Sequence, residues 1–265
     1  MSNANLGWLE TSFVVADIER TTAYYEALGF AVVDTADEGK CRTLEAGDTR
    51  VALFQGILNP AESQLIFWNG DVEAIAEKLV AAGAEVLRGE TFAANMRPSG
   101  LIVMPNGDAS IMVRDPDGQA IYIIRMAEVT KKHAAGRPTP DRGRCDVALP
   151  VKDIARTVAF YELLGFTREA APEDERVAPM VNGESRITLY QGYLDPDELQ
   201  LNFWQGDIDG MADLVRREGL GFFREPSGGD EGRAFMLKDP DGRPLFFINM
   251  RKYREAATLE AKSHG

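Results

Sequence analysis

The chain has 265 residues, length for about two ordinary domains. Hydrophobic residues are 45% and charged residues 27%, the balance of a chain that folds around a core rather than staying disordered. A formal charge of −13 argues against nucleic acid and against an anionic membrane surface, both of which need a basic face, and leaves solubility as the plain meaning of the charge.

No apolar run approaches the roughly 18 residues that span a bilayer. The start, Met1-Ser2-Asn3-Ala4-Asn5, has neither a basic beginning nor an apolar signal core. Two cysteines, Cys41 and Cys145, are too few for a disulfide framework and read as free thiols of a reducing compartment. The expectation is a cytoplasmic protein.

In chain order, Trp8 to Val15 reads as a strand. Asp17 is placed to cap a helix that runs through Leu28 and stops at Gly29. Strands follow at Phe30–Asp34, Arg42–Glu45 and Arg50–Gln55. The same order then restarts. Gln64–Trp68 is a strand, Asp71 caps a helix through Ala82, and Gly83 ends it. Strands follow near Ala84–Leu87, Ser110–Arg114 and Ala120–Arg125, the last pair joined by the turn Asp115-Pro116-Asp117-Gly118. Each half is thus a β-α-β-β-β module.

The whole of this then returns. Asp17…Tyr24-Tyr25…Leu28-Gly29-Phe30 reappears as Asp153…Phe160-Tyr161…Leu164-Gly165-Phe166. Gln64-Leu65-Ile66-Phe67-Trp68 reappears as Gln200-Leu201-Asn202-Phe203-Trp204, and the Asp-Pro-Asp-Gly turn as Asp239–Gly242. A repeat this long is a duplicated domain. The first copy spans 6–126 and the second 143–250. A polar, Gly- and Pro-bearing linker at 127–142 separates them, and a charged, Ala-rich tail at 251–265 follows. The second copy lacks a segment the first carries around Gly89 to Ser110, with Phe92, Asn95, Met96 and Arg97. That segment reads equally as a lid beside a cavity or as an irregular surface hairpin.

The opening strand, the Asp…Tyr/Phe-Tyr…Leu-Gly-Phe helix, the paired module order and the closing Asp-Pro-Asp-Gly turn resemble the vicinal oxygen chelate superfamily. That superfamily includes glyoxalase I, bleomycin-resistance proteins and extradiol dioxygenases. The resemblance implies an α+β fold: four βαβββ modules forming two glyoxalase-like domains with concave, mainly antiparallel sheets. It implies that each concavity holds a substrate and often a divalent metal, bound by His, Glu or Gln.

On the positions that match the superfamily's ligand strands, the chain offers Glu10, Gln64 and Tyr122 in the first copy, and Asp146, Gln200 and Phe246 in the second. The fourth strand of each first module carries no carboxylate or imidazole. The two histidines, His133 and His264, fall in the linker and the tail and read as exposed bystanders. This is a poor donor set for a transition metal, so no metal cofactor is expected. Residues two apart on a strand share a face. Gln64, Ile66 and Trp68 therefore share the hollow of the first copy and Gln200, Asn202 and Trp204 that of the second, and Gln55 and Gln191 join Val51, Leu53, Ile187 and Leu189 there. Each polar residue also has a plainer reading: Trp68 and Trp204 as core, Gln55 and Gln191 as turn residues, Glu10 and Asp146 as rim or ion-pair groups.

The expected function is the metal-free binding of a small aromatic or amphipathic molecule. Two alternatives stand beside it. One is a glyoxalase-type lyase, isomerase or dioxygenase with Glu10 as base or ligand and Tyr122 beside it. The other is a non-catalytic interaction scaffold. The first copy, with Glu, Tyr and the extra segment, is the expected working site. The internal duplication can imitate a dimer, so the protein is expected as a monomer or a homodimer.

Overall fold

Both copies fold as the repeat dictates, each into one long sheet with two helices on one face. The computed structural model describes residues 5–57, 64–87, 96–169, 174–195 and 199–251. In the first domain the elements are β1 (Trp8–Val14), α1 (Ile18–Ala27), β2 (Ala31–Ala36), β3 (Cys41–Ala46) and β4 (Thr49–Phe54). Then come β5 (Gln64–Trp68), α2 (Val72–Ala81), β6 (Glu85–Val86), β7 (Ile102–Val103), β8 (Ala109–Arg114) and β9 (Ala120–Arg125). The second domain has β10 (Gly143–Val151), α3 (Ile154–Leu163), β11 (Thr167–Arg168), β12 (Val177–Asn182) and β13 (Ser185–Gln191). It closes with β14 (Gln200–Gln205), α4 (Ile208–Arg217), β15 (Phe222–Gly229), β16 (Gly232–Lys238) and β17 (Pro244–Met250).

The sheet orders are β2-β3-β4-β1-β5-β9-β8-β6, with β7 on β8, and β11-β12-β13-β10-β14-β17-β16-β15. Modules meet at the antiparallel pairs β1·β5 and β10·β14. Within modules β1·β4, β5·β9, β10·β13 and β14·β17 are parallel, as a strand–helix–strand crossover requires. One face of each sheet packs on the helices. Leu53, Leu65, Phe67, Ile75 and Leu79 are fully buried in the first domain, Ile187, Leu189, Phe203 and Leu214 nearly or fully so in the second. Phe203, Phe247 and Phe235 stack in series at 4.6 Å spacings. The other face of each sheet is the hollow.

Asp17 and Asp153 cap as expected, accepting from Arg20 N and Arg156 N, each at 3.1 Å. Asp71 stands at the start of α2 without capping it. Its carboxylate instead accepts from Asn5 N at 3.0 Å. Gly29 ends α1 at φ +89°, and a Cβ there would meet Thr139 Cγ2 at 2.4 Å. A Cβ on Gly136 would likewise meet Gly29 O at 2.3 Å. The linker, polar in composition, is therefore docked onto the first domain. Arg137 and Arg142 hold it by donating to the last carbonyls of α1, at Ala27 and Leu28.

The two domains exchange their closing turns. Asp117 accepts from Lys152 N at 2.8 Å and Thr157 Oγ1 at 2.6 Å. Its repeat Asp241 accepts from Ala16 N at 2.8 Å and Thr21 Oγ1 at 2.9 Å. Buried Tyr161 donates to Asp115 at 3.2 Å, and buried Tyr25 to Asp239 at 3.3 Å. The Asp-Pro-Asp-Gly motif thus makes the turn and also joins the domains. The extra segment of the first copy is described from Met96 on. There β7 pairs with β8, and Arg97 is exposed. Phe92, Asn95, the tail beyond Arg251 and His264 lie outside the described residues.

Candidate functional site

Register decides what each hollow contains. Glu10 pairs with Ile66, and Ile66 with Tyr122, so these three share the first hollow. Trp68 is on the same side, since Ile66 and Trp68 are two apart. Parallel pairing sets Thr11 opposite Val51 and Phe13 opposite Leu53, on the helix side. The residues of β4 that face the hollow are therefore Arg50, Ala52 and Phe54. This corrects the placement of Val51, Leu53 and Gln55, and of Ile187, Leu189 and Gln191, by one residue of strand parity. Gln55 and Gln191 lie on the helix side and accept from the first helical amides, Ile18 N at 3.0 Å and Ile154 N at 3.2 Å. They act as second caps rather than as pocket residues.

The first hollow centres on a buried ion cluster. Arg50 Nε donates to Glu10 Oε1 at 3.0 Å, and Arg50 Nη1 donates to Glu45 Oε2 at 2.5 Å and to the Lys132 carbonyl at 2.8 Å. Trp68 Nε1 donates to Glu10 Oε2 at 2.9 Å. Both Glu10 oxygens are thus engaged, one by Arg50 and one by Trp68. Tyr122 OH lies 3.4 Å from Ser110 Oγ. The backbone of Gln64 pairs with Ser12 and Ala120; its side chain lies outside the described residues. His133 is exposed, as expected of the linker, yet sets Nδ1 2.8 Å from Glu45 Oε1.

The second hollow is built on the same positions with different contents. Asp146 pairs with Asn202, and Asn202 with Phe246. Asp146 Oδ2 accepts from Thr188 Oγ1 at 2.9 Å. Its Oδ1 is buried and accepts no hydrogen bond; the nearest cation, Arg144 Nε, stands 3.6 Å away. Burial pushes the Asp146 carboxyl above its ordinary value, against the pull of Arg144 and the Thr188 hydrogen bond. Gln200 donates to Asn202 Oδ1, and Asn202 Nδ2 to Tyr190 OH at 3.3 Å. Phe246 and Trp204 are half-buried on this face. Met236, opposite Phe246, lines it too.

Sequence reasoning placed Asn202 in the hollow but missed Arg50, Glu45, Thr188 and Tyr190 as site residues. Their strand parity, once fixed on Glu10 and Asp146, is the signal that places them. Between the domains a cavity of about 30 Å³, lined by Thr49, Lys131, Cys145 and Ser185 among others, has room for about one water. Burial pushes the Cys41 thiol up to about 12 and Cys145 higher still, so neither offers a thiolate at neutral pH.

The described side chains of neither hollow form a donor set that fits a divalent metal. Among the described residues no three His, Cys, Asp or Glu side chains converge as a metal site. In the first hollow a guanidinium lies between the two carboxylates. In the second, Asp146 shares its face with amides and Phe246, and a phenyl ring donates no lone pair.

Residues 146–245 match the family model described as the Glyoxalase/Bleomycin resistance protein/Dioxygenase superfamily. No curated protein sequence matches the chain. Among solved structures, the Mn(II)-bound glyoxalase from Novosphingobium aromaticivorans is 15% identical, with a TM-score of 0.63 over 93% of this chain and 83% of that one. A catechol 2,3-dioxygenase is 19% identical, with a TM-score of 0.59 over 94% and 88%. A triple mutant of 4-hydroxymandelate synthase from Streptomyces coelicolor is 15% identical, with a TM-score of 0.60 over 95% and 94%. At these identities the likeness is one of fold. Residues 146–245 thus match this superfamily's model, and the chain is a tandem two-domain protein with the glyoxalase-like fold throughout.

Proposed function

We propose that the protein binds a small aromatic or amphipathic molecule in the hollow of its second domain, with no metal taking part. One observation carries this reading: Asp146 Oδ1 is buried yet accepts no hydrogen bond. A buried polar atom left in that state costs about 1–3 kcal/mol, which a guest with an O–H or N–H donor recovers. Around it stand amides and a phenol to orient the guest, from Gln200, Asn202 and Tyr190. Phe246, Met236 and Trp204 supply apolar wall. Apolar walls with a few fixed polar groups are the usual make-up of a small-molecule site. This reading sets the chain beside the binding proteins its family model names rather than beside the dioxygenases.

The raised Asp146 carboxyl supports a second reading, acid–base catalysis of the lyase or isomerase kind. A carboxyl raised above its ordinary range by burial exchanges a proton with a substrate more readily near neutral pH than an ordinary carboxylate does.

The chain has three tryptophans, Trp8, Trp68 and Trp204, so a guest stacking on Trp204 is seen as quenching of intrinsic fluorescence. A panel of bicyclic aromatics with hydroxyl or amine substituents is expected to give saturable quenching. Trp204→Phe removes most of that signal, and Asp146→Ala weakens binding by about tenfold, the loss of one hydrogen bond to a buried charged group. Silence across the whole panel sinks the proposal. So does one equivalent of a transition metal in the purified protein that Asp146→Ala abolishes.

A further inference from the structure

The two hollows share an arginine on matched strands and differ in the side chains beside it. Glu45 lies opposite Arg50 in the first sheet, where Val181 lies opposite Arg186 in the second. Glu10 is one methylene longer than Asp146. Arg50 turns to Glu10 and Glu45, while Arg186 turns away to Glu169 at 2.7 Å. Around Arg50 the oxygens of Glu10, Glu45 and the Lys132 carbonyl converge at 3.0, 2.5 and 2.8 Å, as oxygens gather round a hard cation.

We infer that the Arg50 guanidinium holds the place of a divalent cation in the first hollow, and that the linker closes over it as a built-in guest. Arg50, Glu10 and Glu45 are each at least nine-tenths buried. One fixed positive charge already stands between the two carboxylates, so an added cation meets repulsion at short range in a low-dielectric site. The linker is tied down along its length. Asn69 Nδ2 donates to the Val129 carbonyl at 2.7 Å, Lys132 Nζ pairs with Asp34 at 2.6 Å, and Lys131 Nζ reaches Glu184 of the second domain at 2.5 Å. His133 rests on Glu45. The first domain is thereby a closed partner to the second, and this inference does not depend on what the second domain binds.

The test uses Mn²⁺ alone, followed by the loss of its free six-line electron paramagnetic resonance signal and by melting temperature. The wild-type chain is expected to bind no Mn²⁺. Arg50→Ala removes the central charge and leaves two buried carboxylates facing each other. It should melt lower by roughly 10 °C, the consequence of breaking a buried ion cluster in a chain of this size. It should also take up one Mn²⁺ and recover part of that loss as the ion saturates it. Arg50→Ala with Glu10→Gln should lose the uptake. Arg50→Met, which keeps the volume, replaces Arg50→Ala if the smaller side chain prevents folding. Uptake of one Mn²⁺ by the wild-type chain that Glu10→Gln abolishes overturns the inference. So does a folded Arg50 variant that binds none.

Discussion

One methylene separates Glu10 from Asp146, and with it the roles of the two hollows. The longer side chain reaches both Arg50 and Trp68 and spends every oxygen on them; the shorter one meets Thr188 and leaves Oδ1 open. Burial raises the Asp146 carboxyl in the folded state, so the folded protein binds a proton that the unfolded chain has released. Its contribution to stability is full below the ordinary carboxylate range and is lost as pH climbs from there toward the raised folded value. Asp146→Asn removes that loss. Its melting temperature is expected to exceed the wild-type value by a few degrees at pH 8 and to approach it at pH 4, read by differential scanning fluorimetry. A parallel offset at both pH values would contradict the assignment. At this scale the sequence revealed Glu10, Trp68, Asp146 and Gln200 as residues of the hollows. It hid Arg50, because an arginine on a strand looks like a solvent-facing residue until a neighbour's register fixes the side. It also favoured the first copy, whereas the open acceptor lies in the second.

Strands and helices were the most legible level. The apolar periodicity, the Asp caps and the glycine stops located β1, α1, β5 and α2 to within a residue or so. What resisted was anything set by contact between elements. β7 is two residues long and exists because β8 offers it an edge. Asp71 has the right position to cap and a better partner in Asn5 N. Gln191 looked like a pocket amide, yet it completes the N-terminus of α3 beside Asp153. That geometry sets a clear expectation. Gln191→Ala should destabilise the protein by about 1 kcal/mol, the ordinary worth of a helix-start hydrogen bond, and leave aromatic binding by the second domain unchanged. Chemical denaturation and the fluorescence titration, run on the same variant, separate a cap from a pocket residue. A loss of binding with normal stability would restore Gln191 to the site.

Across the whole molecule, the duplication is more than two domains on a string. Each Asp-Pro-Asp-Gly turn reaches the start of the first helix of the other domain, holding the amide before its N-cap and a threonine hydroxyl on it, with a buried tyrosine meeting the first aspartate on each side. Arg243 adds a donation to the Val14 carbonyl and lies over the Phe13 ring at 4.7 Å. Asp117→Ala and Asp241→Ala each remove two cross-domain hydrogen bonds. Each should cost about 1–3 kcal/mol, and the pair of changes should cost more than one alone while loosening the domains. Small-angle X-ray scattering of the double variant should show a larger radius than the wild type. An unchanged radius with unchanged stability would mean that the exchange contributes nothing. The repeat itself was plain in the sequence, but the exchange was not, because a turn motif carries no sign of which helix it will meet.

This exchange has a consequence for how the chain is made. A ribosome releases α1 more than 200 residues before the turn bearing Asp239 and Asp241, so α1 emerges with Tyr25 and Thr21 still waiting for their acceptors. Those contacts close only when the second domain's turn arrives, so the seam between the siblings is the last part of the molecule to set even where each folds as a unit.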